Sequence, residues 1–139
     1  MKKSALINVE MSCLVAKLGH TDEVTVCDAG LPIPDETQRI DLALIPGVPT
    51  FIQTAKALLG EMQIEGVVLA EEFKQVSPEH YAALIQLIRK EEELCGKQIN
   101  IANVSHEVFK VRTQNSKAVI RTGECSPYAN AIFQAGIAF

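Results

Sequence analysis

The sequence predicts a single α/β domain over residues 1–139, with a mixed, largely parallel sheet flanked by helices in Rossmann-like layers. Helical periodicity alternates along the chain with short runs of β-branched residues. The chain has 139 residues, 47% hydrophobic and 22% charged, as is typical of a soluble globular protein. A chain of this length buries roughly 68–70% of its unfolded surface, which is enough for a core without disulfides or structural metals.

The first predicted elements are a helix and a strand. Asn8 is placed to cap a helix that runs through Lys17, with Gly19 as a left-handed stop. Residues 23–27 form a β-branched run that predicts a strand, and Pro32 lies in the turn that follows.

The next segment predicts an extended piece, a helix and a second long strand. Residues 39–44 are extended, and Pro49 is predicted as the first residue of a helix that ends with Leu59. Residues 63–70 form an apolar strand. The Glu71-Glu72 pair that follows is interpreted as the start of a solvated helix rather than as a catalytic carboxylate pair.

The clearest helix follows Ser77 and Pro78, an N-cap and a first-turn proline. Its apolar residues recur at helical spacing, and Gly96 lies beyond its end. Residues 97–104 predict another strand, after which Ser105 is placed to cap a shorter helix.

The chain ends in two predicted strands, residues 118–121 and 131–139, which flank a turn-rich segment. The second strand is apolar to its last residue, unlike the polar ends of most domains. We expect it to be buried in the sheet or at a subunit contact.

Charge and composition argue against nucleic-acid, membrane and metal partners. A net charge of −4 argues against sequence-independent binding to the phosphate backbone of nucleic acid. Asn8 and Glu10 interrupt the N-terminal apolar run too early for a signal peptide, and no stretch reaches the ~20 apolar residues of a membrane helix. We therefore expect a cytoplasmic protein without a membrane partner. The four scattered cysteines form no C-x-x-C pair, so neither a metal site nor a disulfide framework is predicted, and we expect mostly buried thiols.

A histidine and an aspartate flank the first predicted strand. His20 precedes the strand and Asp28 follows it, at the carboxyl edge where open α/β sheets bind ligands. Histidine exchanges protons near neutral pH without a large environmental shift. The residues alone also fit a loop histidine bonded locally to Thr21 or Asp22, and a turn-forming aspartate.

Four other polar residues are candidates. His106 lies in the first turn of its predicted helix, and His80 has the pattern of a surface residue. Tyr128 and Asn130 flank Ala129, and in an extended segment their side chains would share one side. A hydroxyl and an amide side by side suit a polyhydroxylated ligand.

Three separated segments resemble the ribose and fucose mutarotase family. They are Gly19–Asp22, Val26–Pro34 and Val119–Asn130. The likeness covers the whole chain, and the Gly30-Leu31-Pro32 that follows Asp28-Ala29 resembles the ribose branch more than the fucose branch.

The resemblance implies an isomerase that interconverts the β-pyranose and β-furanose forms of D-ribose and supplies furanose for phosphorylation. It implies His20 as the proton donor, and Asp28, His106 and the Tyr128-Ala129-Asn130 segment as sugar-binding residues. It implies no cofactor and no metal. It also implies a homo-oligomer, commonly a decamer of two stacked pentamers, with sites completed by a neighbouring subunit.

Three alternative functions stay open at this point. A non-catalytic sugar-binding or regulatory module of ribose uptake would use Asp28, Tyr128 and Asn130 without needing His20. An L-fucose mutarotase is the nearest catalytic alternative. A Rossmann-like nucleotide binder is disfavoured because no G-x-G-x-x-G follows the first predicted strand.

Overall fold

A computed structural model describes residues 1–139. The helices are α1 (Val9–Lys17), α2 (Phe51–Leu59), α3 (Glu71–Val76), α4 (Pro78–Cys95) and α5 (His106–Thr113). The strands are β1 (Glu23–Cys27), β2 (Arg39–Asp41), β3 (Ile64–Ala70), β4 (Asn100–Val104), β5 (Ala118–Arg121) and β6 (Ala131–Ala135).

The strands form one six-stranded sheet in the order β2-β5-β1-β6-β3-β4. The pairings β2–β5, β5–β1 and β3–β4 are parallel, whereas β6 is antiparallel to both of its neighbours, β1 and β3. The predicted α/β class with a mixed, largely parallel sheet is confirmed. Because β6 alone runs in reverse, the other five strands all end at the same edge of the sheet.

Helices cover both faces of the sheet, and successive side chains along each strand point to opposite faces. On one face, Phe133 of β6 packs in a cluster of 24 buried residues that also takes side chains from α1 to α4. On the other face, the neighbouring Ile132 packs in a cluster of seven that includes Phe109 of α5.

Helix α1 has its predicted bounds, but the residues that follow it differ from the prediction. The Asn8 side chain accepts the Met11 N–H at 2.9 Å, which is the expected cap. The prediction of Gly19 as a left-handed stop is wrong, because α1 ends at an extended Leu18 and Gly19 has no positive φ. Gly19 instead donates its N–H to the Asp22 carboxylate.

The start of α2 also differs from the prediction. Pro49 precedes the helix, and Thr50 caps it through a capping box with Gln53. The side-chain bonds of Thr50 and Gln53 satisfy backbone N–H groups at the start of the helix, so the helix begins at Phe51.

Helix α4 keeps its predicted bounds, but Ser77 does not cap it through its side chain. The Ser77 hydroxyl donates to the Pro127 carbonyl at 2.7 Å, which ties the helix to the loop before β6. Gly96 lies beyond the helix end as the sequence predicts, and it takes the left-handed conformation at φ 66°.

The last four residues leave the sheet. Strand β6 stops at Ala135, and Gly136 donates its N–H to the Gln63 carbonyl. The prediction of a strand through Phe139 is therefore wrong: β6 is buried in the sheet as expected, but Phe139 is exposed within this chain, and burial of the last residues at a subunit contact stays a prediction. Strands β2 and β4 are likewise shorter than predicted, 39–41 and 100–104.

Candidate active site

The carboxyl edge of the sheet carries a cleft of about 570 Å³, which is within the usual range for small-ligand sites. The cleft is formed by loops that follow β1 and β5 and by the start of α5. Its lining residues are Asp28, Ala29, Gly30, Leu31, Pro32, His106, Glu124, Cys125, Pro127 and Tyr128.

Backbone and side-chain hydrogen bonds join the chain segments at the ends of β1 and β5. Ala29 donates its N–H to the Glu124 carbonyl at 2.8 Å, and Arg121 Nε donates to the Ala29 carbonyl at 3.1 Å. Thr122 donates both its N–H and its hydroxyl to the Cys27 carbonyl. The two loops therefore form one rim, in which the position of Ala29 depends on the loop after β5.

Asp28 is held on three sides. Its N–H donates to Asn130 Oδ1 at 2.8 Å, and Asn130 Nδ2 donates to Asp28 Oδ2 at 2.9 Å. Gly30 donates its N–H to the other carboxylate oxygen, Oδ1, at 2.8 Å. Asn130 itself is fully buried, so this amide fixes the direction of the Asp28 carboxylate at the cleft wall.

The segment 128–130 is a turn and not an extended strand, so the sequence-based geometry is wrong there. Tyr128 has φ 62°, and Asn130 donates its N–H to the Tyr128 carbonyl at 2.8 Å. As a result Tyr128 lines the cleft, whereas Ala129 and Asn130 are fully buried behind it. Their sugar-binding assignment stays a prediction.

His106 begins α5 at the cleft wall, as its position after the Ser105 cap predicts. Its ring meets that of Tyr128 edge-on, with centroids 4.8 Å apart. The backbone N–H of His106 donates to both carboxylate oxygens of Glu72, at 3.1 and 3.2 Å. Glu72 therefore binds the start of α5, which its interpretation as part of a solvated helix start did not predict. The ring Nδ1 is buried without a hydrogen-bond partner, which leaves a polar atom of this wall unsatisfied within the chain.

Glu124 is a cleft residue that sequence reasoning missed. Its carboxylate is buried and accepts the backbone N–H groups of Phe51, Cys125 and Ser126. Burial acts to raise the pKa of Glu124, but hydrogen bonds from Ser126 and Phe51, together with His80, hold that pKa below its usual value. The only sequence signal was its place in a turn-rich segment beside a strand end.

His80 is more than the surface residue that its helix position predicts. Its Nε2 lies 3.5 Å from Glu124 Oε2 and 3.3 Å from Ser126 Oγ. The side chain is 32% exposed, so it supports the outer side of the cleft loop rather than facing only solvent.

His20 lies at the opposite edge of the sheet from the cleft. Strand β1 separates it from Asp28, and five residues at roughly 3.3 Å each span roughly 17 Å. Its Nε2 lies 2.9 Å from Glu65 Oε2, so the ring bonds to β3 and not locally to Thr21 or Asp22. Within one chain, the structure therefore brings Asp28, His106 and Tyr128 together and leaves His20 apart.

The cysteines differ from expectation. All four are free, but Cys13 and Cys125 are exposed and only Cys27 is buried, so the prediction of mostly buried thiols is wrong. Burial raises the pKa of the Cys27 thiol. No group of three or more histidine, cysteine, aspartate or glutamate side chains is arranged to hold a metal ion. None of the helices is both long and apolar enough to cross a membrane.

Known proteins match the chain over its full length. It is 76% identical to the D-ribose pyranase of Photobacterium profundum and 65% identical to that of Psychromonas ingrahamii, over all of both chains in each case. The structure of Bacillus subtilis RbsD complexed with D-ribose superposes with a TM-score of 0.90 at 45% identity and covers 100% of both chains.

A more distant likeness extends the fold to another sugar enzyme. The fucose mutarotase of Streptococcus pneumoniae, solved in complex with L-fucose, has a TM-score of 0.81 at 21% identity and 99% coverage of both chains. A family model described as the RbsD / FucU transport protein family matches residues 1–138. This chain belongs to the RbsD / FucU transport protein family.

Proposed function

We propose that this chain, acting as one mutarotase-type domain over residues 1–139, interconverts β-D-ribopyranose and β-D-ribofuranose. The observation that carries the proposal is the 76% identity, over the full length of both chains, to a D-ribose pyranase. The fucose mutarotase shares the fold at 21% identity, so the sequence favours ribose over fucose as the substrate.

Changing the ring size requires opening of the hemiacetal. The ring oxygen gains a proton as its bond to the anomeric carbon breaks, and the anomeric hydroxyl loses one. The ring then closes through a different hydroxyl. A positioned acid or base contributes typically ~10²–10⁴-fold to such a step.

The cleft supplies groups for this chemistry. Asp28 and His106 bind sugar hydroxyls, one of the two accepts the anomeric proton, and the Tyr128-Ala129-Asn130 segment completes the sugar site. Three hydrogen bonds around Asp28 support its role, because a carboxylate held in one direction needs no reorganisation when the substrate binds. His20 donates the proton to the ring oxygen.

His20 reaches a cleft only in an assembly, because roughly 17 Å of strand separates it from the cleft of its own chain. The active form is a homo-oligomer, a decamer of two stacked pentamers, in which His20 of one copy enters the cleft of a neighbour. Exposed apolar side chains support such contacts. They are Leu44, Ile45 and Val48 beside the rim, and Ile137 and Phe139 at the C-terminus. The enzyme acts in the cytoplasm, where its furanose product is phosphorylated.

Saturation-transfer NMR on equilibrated D-ribose tests the reaction. Exchange between β-pyranose and β-furanose accelerates with the wild-type protein and not with His20→Ala, whereas the exposed control Glu93→Ala behaves as wild type. Acceleration on L-fucose alone would transfer the assignment to the fucose branch. Binding of D-ribose without faster exchange would show a non-catalytic sugar-binding module.

Mixing two inactive variants tests the shared site. His20→Ala and Asp28→Asn are unfolded together and refolded, so that some clefts combine an intact Asp28 with an intact His20 from another copy. Activity returns if the site is shared. No recovery in a mixed oligomer, or a monomeric mass at micromolar concentration, would contradict the assembly.

A further inference from the structure

The contact between His20 and Glu65 joins two segments that are distant in sequence. His20 lies in the loop before β1, and Glu65 lies near the amino end of β3. The Nε2–Oε2 distance is 2.9 Å, and the side chains are 51% and 40% exposed. A polar side-chain contact this exposed adds little to stability, so stability does not account for the arrangement.

The backbone on the Glu65 side is irregular in a way that aims this side chain. The β3–β6 register shifts between Ile64 and Gly66, which leaves Glu65 as an extra residue on β3. Such bulges redirect a side chain and are frequent beside active sites. A Cβ on Gly136 would lie 3.2 Å from Glu65 Cβ, so a glycine there leaves the room that the bulge uses.

The backbone on the His20 side is irregular as well. Thr21 has φ 69°, an uncommon conformation for a residue with a branched side chain, and its N–H donates to the Ala135 carbonyl at 2.9 Å. The Asp22 carboxylate accepts the Gly19 N–H at 2.8 Å, and this bond lowers the pKa of Asp22. Both partners of the contact are therefore held at the same end of β6.

We propose that Glu65 is a positioning residue for His20. Its carboxylate accepts the Nε2–H bond, so that Nδ1 is the ring nitrogen presented to the sugar. This inference rests on the proposed function, in which His20 is the proton donor.

The proton balance follows from that orientation. The imidazolium holds a proton on each nitrogen and gives the Nδ1 proton to the ring oxygen as the C1–O bond breaks. The anomeric O–H gives its proton to the base in the cleft and becomes the carbonyl. The neutral ring keeps the Nε2 proton, which Glu65 holds, and reclosure reverses both transfers through the other hydroxyl.

The test compares Glu65→Ala and Glu65→Gln with Glu93→Ala as an exposed control. Glu65→Ala lowers kcat about tenfold to a hundredfold, because a misplaced catalytic group costs up to about 10²-fold, and it leaves KM within about twofold. Glu65→Gln keeps most of the rate, since its amide oxygen can accept the same Nε2–H bond. The control keeps the wild-type rate.

The ring nitrogens of His20 give a second readout that does not depend on turnover. In the neutral form of the wild type, ¹⁵N shifts place the proton on Nε2, and Glu65→Gln retains that tautomer. Glu65→Ala gives a mixture of tautomers. A purely structural role for Glu65 would leave the tautomer unchanged.

The outcomes separate the inference from the proposed function. If wild-type protein does not accelerate ribose exchange, the proposed function fails, and with it the catalytic role given to Glu65. If exchange is accelerated but Glu65→Ala keeps the wild-type kcat, or loses rate with an unchanged tautomer, the positioning role is overturned. A lowered kcat with a mixed tautomer and rescue by Glu65→Gln supports it.

Discussion

Replacing Asn130 by aspartate places a second carboxyl beside Asp28 with almost no change in side-chain volume. In the native site, Asn130 is fully buried, accepts the Asp28 N–H and donates to the Asp28 carboxylate at 2.9 Å. The variant Asn130→Asp keeps the acceptor and replaces the donor by an acidic oxygen. It therefore tests whether the amide N–H bond holds the Asp28 carboxylate in place.

The size of the effect follows from the distance. Two unit charges 2.9 Å apart repel by about 6 kcal/mol at an effective dielectric constant near 20. The variant avoids this repulsion if one of the two carboxylates binds a proton. Protonating an aspartate whose ordinary pKa is about 3.9 costs about 4 kcal/mol at pH 7, which therefore sets the upper limit of the penalty. At pH 5 the same protonation costs about 1.5 kcal/mol. We therefore expect the loss of unfolding free energy in Asn130→Asp to be about 2.5 kcal/mol smaller at pH 5 than at pH 7.

The sign of this pH dependence is opposite to that of a stabilised carboxylate. The introduced carboxyl has a raised pKa in the folded state, so the folded variant binds more protons than the unfolded one above the ordinary pKa. Its stability relative to wild type is highest in acid and falls as the pH rises towards neutrality. The neutral control Asn130→Ala loses about 2–4 kcal/mol at both pH values, because the Asp28 N–H and its carboxylate oxygen Oδ2 lose their hydrogen-bond partner.

Denaturant unfolding at fixed protein concentration measures these differences. Wild type, Asn130→Asp and Asn130→Ala are compared at pH 5 and pH 7, each against wild type at the same pH. A loss of unfolding free energy for Asn130→Asp that is the same at both pH values would refute the reasoning. It would mean that the two side chains do not share the buried bond.

Three further predictions test a buried cleft carboxylate, a close backbone contact and a helix cap. Glu124→Gln lowers the free energy of unfolding at neutral pH. The pKa of Glu124 is lowered in the folded state, so the stability that its carboxylate contributes is lost as the pH falls below about 4.5, and the difference between Glu124→Gln and wild type becomes smaller there. Denaturant unfolding between pH 3 and 7 measures this difference. Gly123→Ala lowers the melting temperature more than Gly96→Ala does. A Cβ added at Gly123 would lie 2.4 Å from the Val48 carbonyl oxygen, whereas a Cβ added at Gly96 would lie in open space. Equal decreases in melting temperature would contradict this difference in packing. Asn8→Ala removes a helix cap and lowers the unfolding free energy by about 1 kcal/mol without changing ribose exchange; an unchanged unfolding midpoint would contradict the cap.

The places of several candidate site residues in the fold were predictable because their signals are local. A β-branched run followed by a turn places Asp28 at the carboxyl end of a strand, and a serine cap places His106 in the first turn of a helix. Parallel strands end at one edge, which is why these two residues share a cleft. The family likeness added the identity of the sugar, which residue types alone did not determine.

Two of the errors arose where distant contacts override a local pattern. Tyr128 adopts a left-handed turn because Asn130, two residues on, is buried against Asp28 on another element. Ser77 gives up its capping bond for the carbonyl of Pro127, fifty residues away in sequence. Neither arrangement leaves a mark within the few residues over which periodicity and capping operate.

What the sequence determined by itself was the set of helices and strands, the α/β class and the residues at strand ends. These depend on side-chain spacing, caps and turn residues within a single element. Only the tertiary structure decided that β6 runs antiparallel between β1 and β3, that Glu65 meets His20, and that His20 lies at the edge opposite the cleft. Strand order and burial result from contacts between segments far apart in the chain, which depend on how the whole core packs.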